Sequence, residues 1–188
     1  MNRVCLAIVC LAVITASLAD AATSVVRRTT LLVSDVKASV AFYEKIGFKV
    51  WLNTGGPRDP NGPTSLPLNV KPAQSNFTIM AGRDPWVAMI GLLQYDKPMP
   101  TRTRGIADQI GVGDAVLMIE TDDVDGVYKS LQAMGTPMLQ LPKETTTKSA
   151  DSIKHVKNMF FRDPDGWVIE MSQVVSSEPL PATERAKK

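Results

Sequence analysis

The chain contains two copies of one local pattern, in which a strand leads into a short helix that begins at an aspartate and ends at a glycine. The strands are rich in β-branched residues and cover residues 25–33 and 115–121. Aspartate is a favoured N-cap, and glycine favours the left-handed conformation that ends a helix. The helices run from Asp35 to Gly47 and from Asp123 to Gly135, a separation of 12 residues in both copies. Repeated sequence builds repeated supersecondary structure, so the fold must contain one unit twice.

Further strands are expected after each helix. In the first copy they cover residues 48–52, 75–80 and 86–93, and in the second copy the last two cover residues 156–161 and 167–171. The last two strands of the second copy are joined by Asp163-Pro164-Asp165-Gly166, a sequence typical of a tight turn. We therefore predict an α+β fold built from two tandem βαβββ units.

The units define the predicted domain organisation. They cover about residues 25–95 and 113–173, within one domain at residues 22–175. Residues 176–188 are polar and contain two prolines, so they are predicted to form a flexible tail.

The first 21 residues have the pattern of a secretory signal peptide. Arg3 precedes an apolar run over residues 4–18, and Ala19-Asp20-Ala21 matches a small-x-small cleavage signal. The run is shorter than the roughly 20 residues that span a bilayer. We expect an exported protein, periplasmic or secreted, with no membrane partner in its mature form. Cleavage would also remove both cysteines of the chain, which excludes thiol chemistry.

The charge balance argues against a nucleic-acid partner. The chain has 21 Lys and Arg against 19 Asp and Glu, a net charge of +2. These charges are spread along the chain, whereas nucleic-acid-binding proteins show a clustered basic face.

Several segments together resemble the vicinal oxygen chelate superfamily, which holds glyoxalase I, bleomycin-resistance proteins and extradiol dioxygenases. They are Val33-Ser34-Asp35, Ala41-Phe42-Tyr43, Ile46-Gly47-Phe48 and residues 161–170. The resemblance covers about residues 25–173. It implies a glyoxalase-like fold in which each unit curls its sheet into half a barrel, and the halves close around a cavity for a small molecule. It leaves a homodimer open, because many relatives complete their cavities as dimers.

The resemblance also implies where metal ligands would lie. Metal-dependent members carry a ligand seven residues before the capping aspartate, where this chain has Arg28 in the first half and Val116 in the second. A second ligand in each half of these members lies on its last strand, where this chain has Gly91 in the first half and Glu170 in the second. One carboxylate does not make a catalytic metal site, so the site is interpreted as degenerate and no cofactor is expected. A divalent metal in a rebuilt site remains an alternative, with ligands from Asp114, Glu120, Glu170 and His155.

Five residues are predicted to bind a substrate. They are Arg28, Thr30, Asp114, Val116 and Glu170. Strand alternation places Arg28 and Thr30 on one face, and Asp114 and Val116 on another. Arg28 would pair with Glu170 or present its guanidinium to a ligand oxyanion, unless it lies at a strand edge in solvent.

Two function classes follow. The first is an exported protein of the bleomycin-resistance kind that binds a small organic molecule without a metal. The alternative is a lyase, isomerase or dioxygenase that uses a rebuilt metal site or the group Arg28, Glu170 and His155. The fold alone does not decide between them.

Overall fold

A computed structural model describes residues 24–62, 65–102, 110–149 and 151–181 of the 188-residue chain. The first half contains β1 (Arg28–Leu32), α1 (Val36–Lys45), β2 (Lys49–Pro57), β3 (Gln74–Ala81) and β4 (Met89–Asp96). The second half contains β5 (Val116–Glu120), α2 (Val124–Ala133), β6 (Met138–Lys148), β7 (Ser152–Arg162) and β8 (Val168–Pro179). The predicted α+β fold of two tandem βαβββ units is confirmed.

Each half forms its own four-stranded sheet with the same strand order. The first sheet runs β1-β4-β3-β2 and the second runs β5-β8-β7-β6. In both, the first strand is parallel to the last and the remaining pairs are antiparallel. The two sheets share no hydrogen-bonded strand pair among the described residues, so they do not close into a continuous barrel.

Helix α1 begins where the sequence places its cap. The Oδ1 atom of Asp35 accepts hydrogen bonds from the backbone N–H groups of Lys37 at 2.8 Å and Ala38 at 3.1 Å. The N–H group of Val36 donates to Oε1 of Gln94 on β4, at 2.9 Å. A side chain from the last strand thus satisfies an N–H group that the first turn of a helix leaves without a helical partner.

Helix α2 repeats this arrangement. Asp123 accepts from the N–H of Gly126 at 2.8 Å, and Gln173 on β8 accepts from the N–H of Val124 at 3.0 Å. Both helices end at the predicted glycines, Gly47 with φ +104° and Gly135 with φ +68°. A positive φ costs glycine little because it has no Cβ atom.

One hydrophobic core lies against the faces of the two sheets that the helices cover. The aromatic rings of Phe42 on α1 and Phe161 on β7 pack with their centroids 6.1 Å apart. Both halves contribute fully buried residues to this cluster, among them Leu31, Tyr43, Leu92, Leu131, Met159, Ile169 and Met171. The halves are therefore held together by a shared core rather than by a shared sheet.

The turn between β7 and β8 makes polar contacts with the first half. The Tyr43 hydroxyl donates to Oδ2 of Asp163 at 3.1 Å, and the Ser34 N–H donates to Oδ2 of Asp165 at 2.9 Å. Arg102 forms an ion pair with Asp165 at 3.1 Å. We call this set of contacts the joint. It fixes how the second half sits against the first.

Two predicted boundaries need correction. Strand β8 continues to Pro179 and pairs with β7 as far as Ser152, so residues 176–179 belong to the sheet and not to a tail. Leu180 is also buried. The predicted strand at residues 86–93 begins only at Met89.

The ends of the chain carry predictions that stay untested. The signal peptide at residues 1–21 and the end of the predicted tail at residues 182–188 lie outside the described residues. No helix within the described ranges is long and apolar enough to cross a membrane.

Candidate functional site

Each sheet has one face that its helix covers and a second face, which we call the open face. On β1, Leu31 is buried in the shared core, whereas Leu32 is 40% exposed. Since strand residues alternate between faces, Arg28 and Thr30 lie with Leu32 on the open face of the first sheet. The same logic places Val116 and Glu170 on the open face of the second sheet, because Leu117 packs against the core.

The open face of the first sheet is filled by its own side chains. A second buried cluster lies there, formed by Phe77, Ile79, Met89, Leu93 and Tyr95, with Leu68 packed against it. Leu68 belongs to the proline-containing segment between β2 and β3, at residues 58–73. The guanidinium of Arg58, at the start of that segment, lies 5.9 Å from the Tyr95 ring centroid. The segment therefore covers part of this face.

Arg28 lies against this filled face in an ordered position. Its Nε donates to Oγ1 of Thr30 at 3.1 Å, and its guanidinium carbon lies 4.9 Å from the centroid of the Phe77 ring. A Cβ atom at Gly91 would come within 2.9 Å of Phe77 Cε2 and Thr30 Oγ1, and within 3.1 Å of Arg28 Cδ. Because Gly91 has no side chain, Arg28 and Phe77 can occupy the space that a side chain at this position would fill.

The open face of the second sheet is more exposed and more polar. Asn158 donates from Nδ2 to Oε1 of Glu170 at 3.3 Å, and Gln140 donates to Asn158 at 3.5 Å. Beside this polar row, Val116 and Met118 are 42% and 62% exposed. Glu170 is half-buried. This face therefore offers a hydrogen-bonded carboxylate next to accessible apolar side chains.

The sheet registers show that Gly91 and Glu170 are equivalent positions. Thr30 pairs with Gly91 in the first sheet, and Met118 pairs with Glu170 in the second. Gly91 lies three residues before the capping glutamine of its half, and Glu170 lies three before that of the other half. The register assumed for the ligand positions is thus supported by two independent features of the structure.

The residues at these positions do not fit a divalent metal. Arg28 is a permanent cation without a lone pair to donate, and Val116 and Gly91 carry no ligand atom. Glu170 alone remains, whereas a catalytic metal takes about three protein ligands. Across the described ranges, no group of three or more His, Cys, Asp and Glu residues is placed to hold a metal. The rebuilt set of Asp114, Glu120, Glu170 and His155 is therefore not assembled.

Asp114 was predicted to lie on a strand face, but the structure places it outside the strand. Strand β5 begins at Val116, and Asp114 lies in the preceding turn, where its carboxylate accepts from the N–H of Gly111 at 2.7 Å. The backbone N–H of Asp114 in turn donates to the Gly111 carbonyl at 3.0 Å. The alternation that grouped Asp114 with Val116 fails because the chain turns before the strand starts.

The other predicted partners are also apart. Among the ion pairs of the described ranges, none joins Arg28 to Glu170. His155 contacts Thr146 at 3.3 Å and lies five positions along β7 from Phe160, the strand partner of Glu170. That separation is about 16 Å along the strand. The group Arg28, Glu170 and His155 therefore does not form a single catalytic site.

A cavity of about 800 Å³ lies where the two halves meet. Leu32, Leu93 and Tyr95 line it from the first half, and Val168 and Trp167 from the second. Its polar lining comes from Asn69, Thr101, Arg102, Asp114, Arg162 and Asp165. Of the five predicted binding residues, only Asp114 lines this cavity. Sequence reasoning missed the other residues that line the cavity, because they come from connections far apart in the chain. The long proline-containing segment was the one sequence feature that indicated a functional loop.

The joint beside this cavity contains a buried carboxyl group with a shifted pKa. Burial raises the pKa of Asp163 to about 6 from its usual value of 3.8, against the lowering effect of N–H donation from Trp167 and O–H donation from Tyr43. Burial and the neighbouring Asp163 raise the pKa of the Tyr43 hydroxyl well above its usual range. Tyr43 therefore stays protonated, while Asp163 changes charge in mildly acidic solution.

Comparison with protein-family models gives one match. The model described as the glyoxalase/bleomycin resistance protein/dioxygenase superfamily matches residues 25–171. A sequence comparison with curated proteins finds no match.

Solved structures with the same fold are found in distant relatives. A glyoxalase family protein from Bacillus cereus is 15% identical with a TM-score of 0.65, and the alignment covers 85% of this chain and 100% of that one. The trypanothione-dependent glyoxalase I of Leishmania major is 16% identical with a TM-score of 0.50, over 79% and 86% of the two chains. TnmS3, an antibiotic binding protein from Streptomyces sp. CB03234, is 23% identical with a TM-score of 0.49, over 82% and 98%. At these identities the Bacillus cereus and Leishmania major structures show a common fold and no more.

Proposed function

Because the chain belongs to the glyoxalase/bleomycin resistance protein/dioxygenase superfamily, we propose that it binds a small organic molecule in the cavity between its halves, without a catalytic metal. The proposal depends on the residues found at the positions equivalent to the metal ligands of metal-dependent family members. Arg28 and Phe77 occupy the space beside Gly91, and the described residues place no group of three or more potential ligand residues around Glu170. A cation-bearing, filled face is poorly suited to a divalent ion, whereas the cavity stays accessible.

The cavity has the dimensions and chemistry of a small-molecule site. Its volume of about 800 Å³ lies within the range of roughly 300–1,000 Å³ that ligand pockets occupy. Leu32, Leu93 and Trp167 provide apolar wall, and Asn69 and Thr101 provide neutral polar groups. Apolar walls with a few polar groups are the usual lining of such sites.

The proposal includes export and self-association. The signal-peptide pattern of residues 1–21 supports a periplasmic or secreted protein. Val116 and Met118 on the second open face support a homodimer, because a partner would cover these exposed apolar side chains. Intact-mass measurement of the protein from its producing cell tests export, and a mass that includes residues 1–21 would contradict it.

Ligand binding is tested by thermal unfolding with two panels of additives. One panel contains Ni²⁺, Zn²⁺, Mn²⁺ and Fe²⁺, and the other contains small neutral and charged aromatic compounds. We expect stabilisation by members of the second panel and by none of the metals, since a ligand that binds only the folded state raises its melting temperature. Stoichiometric metal with a raised melting temperature would overturn the metal-free proposal.

A matched pair of variants places the ligand. Ala115 lines the cavity, so Ala115→Trp should obstruct part of it and reduce the stabilisation by aromatic compounds. Ala133 is exposed at the end of α2 and lies outside the cavity lining, so Ala133→Trp should leave the stabilisation unchanged. Equal stabilisation of both variants would show that the ligand binds elsewhere.

A further inference from the structure

Arg28 is an ordered guanidinium whose charge the protein does not neutralise. No carboxylate of the described residues lies within ion-pair distance of it. Among the described residues, its hydrogen bond is from Nε, with Thr30 as acceptor. A guanidinium carries five N–H donors, so the two terminal nitrogens keep four N–H groups without a partner among those residues.

The position of this group is held by its surroundings. Thr30 fixes Nε at 3.1 Å, and the Phe77 ring, itself 91% buried, supports the guanidinium from one side at 4.9 Å. Gly91 permits this position, because a Cβ atom there would come within 3.1 Å of Arg28 Cδ. Arg28 is exposed on β1, the edge strand of its sheet, so these contacts restrain a guanidinium that solvent and a ligand can reach. A preorganised group loses less conformational freedom when it binds, so more of the interaction energy appears as affinity.

We propose that Arg28 is the anchor for an organic carboxylate, which its two terminal nitrogens bind in a bidentate manner. The planar fork of arginine matches the two oxygens of a carboxylate. A single guanidinium neutralises one negative charge, which favours a carboxylate over a doubly charged phosphate. This inference rests on the proposed function and adds the chemical class of the ligand to it.

The neighbouring surface suits the apolar body of such a molecule. Leu32 lies on the same open face, about 13 Å along β1 from Arg28, and it lines the cavity between the halves. Between these two residues lies Thr30, whose hydroxyl is already used as an acceptor by Arg28. A ligand with its carboxylate at Arg28 would therefore extend along β1 towards the cavity.

The test compares benzoate with benzamide, which has a similar shape and no charge. Isothermal titration should give a benzoate Kd that is weaker by roughly tenfold or more in Arg28→Gln, because a hydrogen-bonded charge partner is lost. Arg28→Lys should weaken benzoate binding as well, since lysine has the charge but not the fork. Arg27→Gln is the matched control. Arg27 is an exposed arginine next to Arg28, and its removal should change the benzoate Kd by less than about twofold.

A second measurement avoids the effect of substitutions on folding. In the unaltered protein, the Arg28 Nε–H signal in a ¹H–¹⁵N spectrum should shift on titration with benzoate and not with benzamide. An equal benzoate Kd in Arg28→Gln and the unaltered protein would overturn the proposal, and so would an absence of benzoate binding. If benzamide also binds and Ala115→Trp weakens that binding, the cavity function survives the loss of the Arg28 inference. If no aromatic compound binds, both fail.

Discussion

The two halves of the molecule have the same helix caps, but the open faces of their sheets differ in packing and polarity. Gln94 and Gln173 make the same bond to the first turn of their helices, at 2.9 and 3.0 Å. The position three residues earlier is glycine in one half and glutamate in the other. In the first half that position is packed against Phe77, whereas in the second half Glu170 accepts from Asn158.

Phe77 and Asn158 are themselves equivalent, which extends the contrast. Phe77 pairs with Leu93, two residues after Gly91, and Asn158 pairs with Ser172, two residues after Glu170. The first half thus has an aromatic cluster where the second half has a row of hydrogen-bonded polar side chains. Caps are needed wherever the unit folds, because helix ends leave unpaired N–H groups. The open faces carry no such requirement, so they are where the halves differ in chemistry.

The largest expected effect tests the shared core. Leu131 on α2 is fully buried, at the position equivalent to Tyr43 on α1. Leu131→Ala should lower the free energy of unfolding by about 3 kcal/mol, because it leaves a cavity in a packed core. Urea unfolding measures the change. Leu141, which is 58% exposed on β6, is the control, and Leu141→Ala should change stability by less than about 0.5 kcal/mol. A small loss in Leu131→Ala would mean that the second half does not depend on this core.

The joint should make stability depend on pH in an unusual direction. The pKa of Asp163 is raised to about 6 in the folded protein from a usual value of 3.8, so the folded state binds its proton first as pH falls. This carboxyl group therefore destabilises the fold above about pH 6, and that cost disappears as pH falls towards 4. Between about pH 8 and pH 4.5, the gain at this site should be roughly 2 kcal/mol.

Other carboxyl groups also titrate in that interval, so the site is isolated with Asp163→Asn. The amide keeps an oxygen for the Trp167 N–H and has an N–H₂ group that can face the Tyr43 hydroxyl, but it has no charge. Guanidinium unfolding at several pH values should show that the variant lacks the gain seen in the unaltered protein. Parallel pH profiles for the two proteins would contradict the raised pKa.

The equivalent positions Gly91 and Glu170 should respond differently to alanine. Gly91→Ala should destabilise by about 1–2 kcal/mol, because the new Cβ atom meets Phe77 and Thr30 at 2.9 Å. Glu170→Ala should cost less than about 0.5 kcal/mol, since one long hydrogen bond at 3.3 Å is lost on a half-open face. Thermal unfolding of both variants provides the comparison. Equal losses would show that the first open face is not packed more tightly than the second.

Removal of the capping glutamine should have an equal effect in the two halves. Gln94→Ala and Gln173→Ala each remove the acceptor for one N–H group of a helix start, at a cost of about 1 kcal/mol. Chemical unfolding measures each cost. A difference well beyond the error of measurement would break the equivalence of the caps.

Much of the fold was predictable because its signals are local. Asp35 and Gly47 mark the ends of α1 through bonds and dihedral angles within a few residues. The turn at Asp163-Pro164-Asp165-Gly166 was also recognisable, and Gly166 adopts a φ of +93° there. The extension of β8 to Pro179 was missed, because its residues pair with β7 and carry no strand pattern of their own.

The candidate site was less predictable because its contacts are long-range. Alternation correctly placed Arg28, Thr30 and Leu32 on one face, but it grouped Asp114 with a strand that begins later. Sequence reasoning left three positions open for Arg28, namely a pair with Glu170, a ligand oxyanion or a strand edge in solvent. The structure places Arg28 exposed on the edge strand β1 and against Phe77, from a strand almost 50 residues away. Sequence periodicity says which residues share a face and not what lies opposite them.

The amino-acid sequence by itself determined the repeated unit, its helix caps and the residue types at the positions equivalent to the family's metal ligands, since each depends on residue identity and short spacing. Only the tertiary structure decided which open face is filled and how the joint holds the halves together. Tyr43 and Asp163 are 120 residues apart, and their bond exists because the shared core brings α1 to the β7–β8 turn. The same packing places Arg28 against Thr30 and Phe77, with no acidic partner among the described residues. Burial and charge pairing depend on the whole fold, so they emerge only when the two units come together.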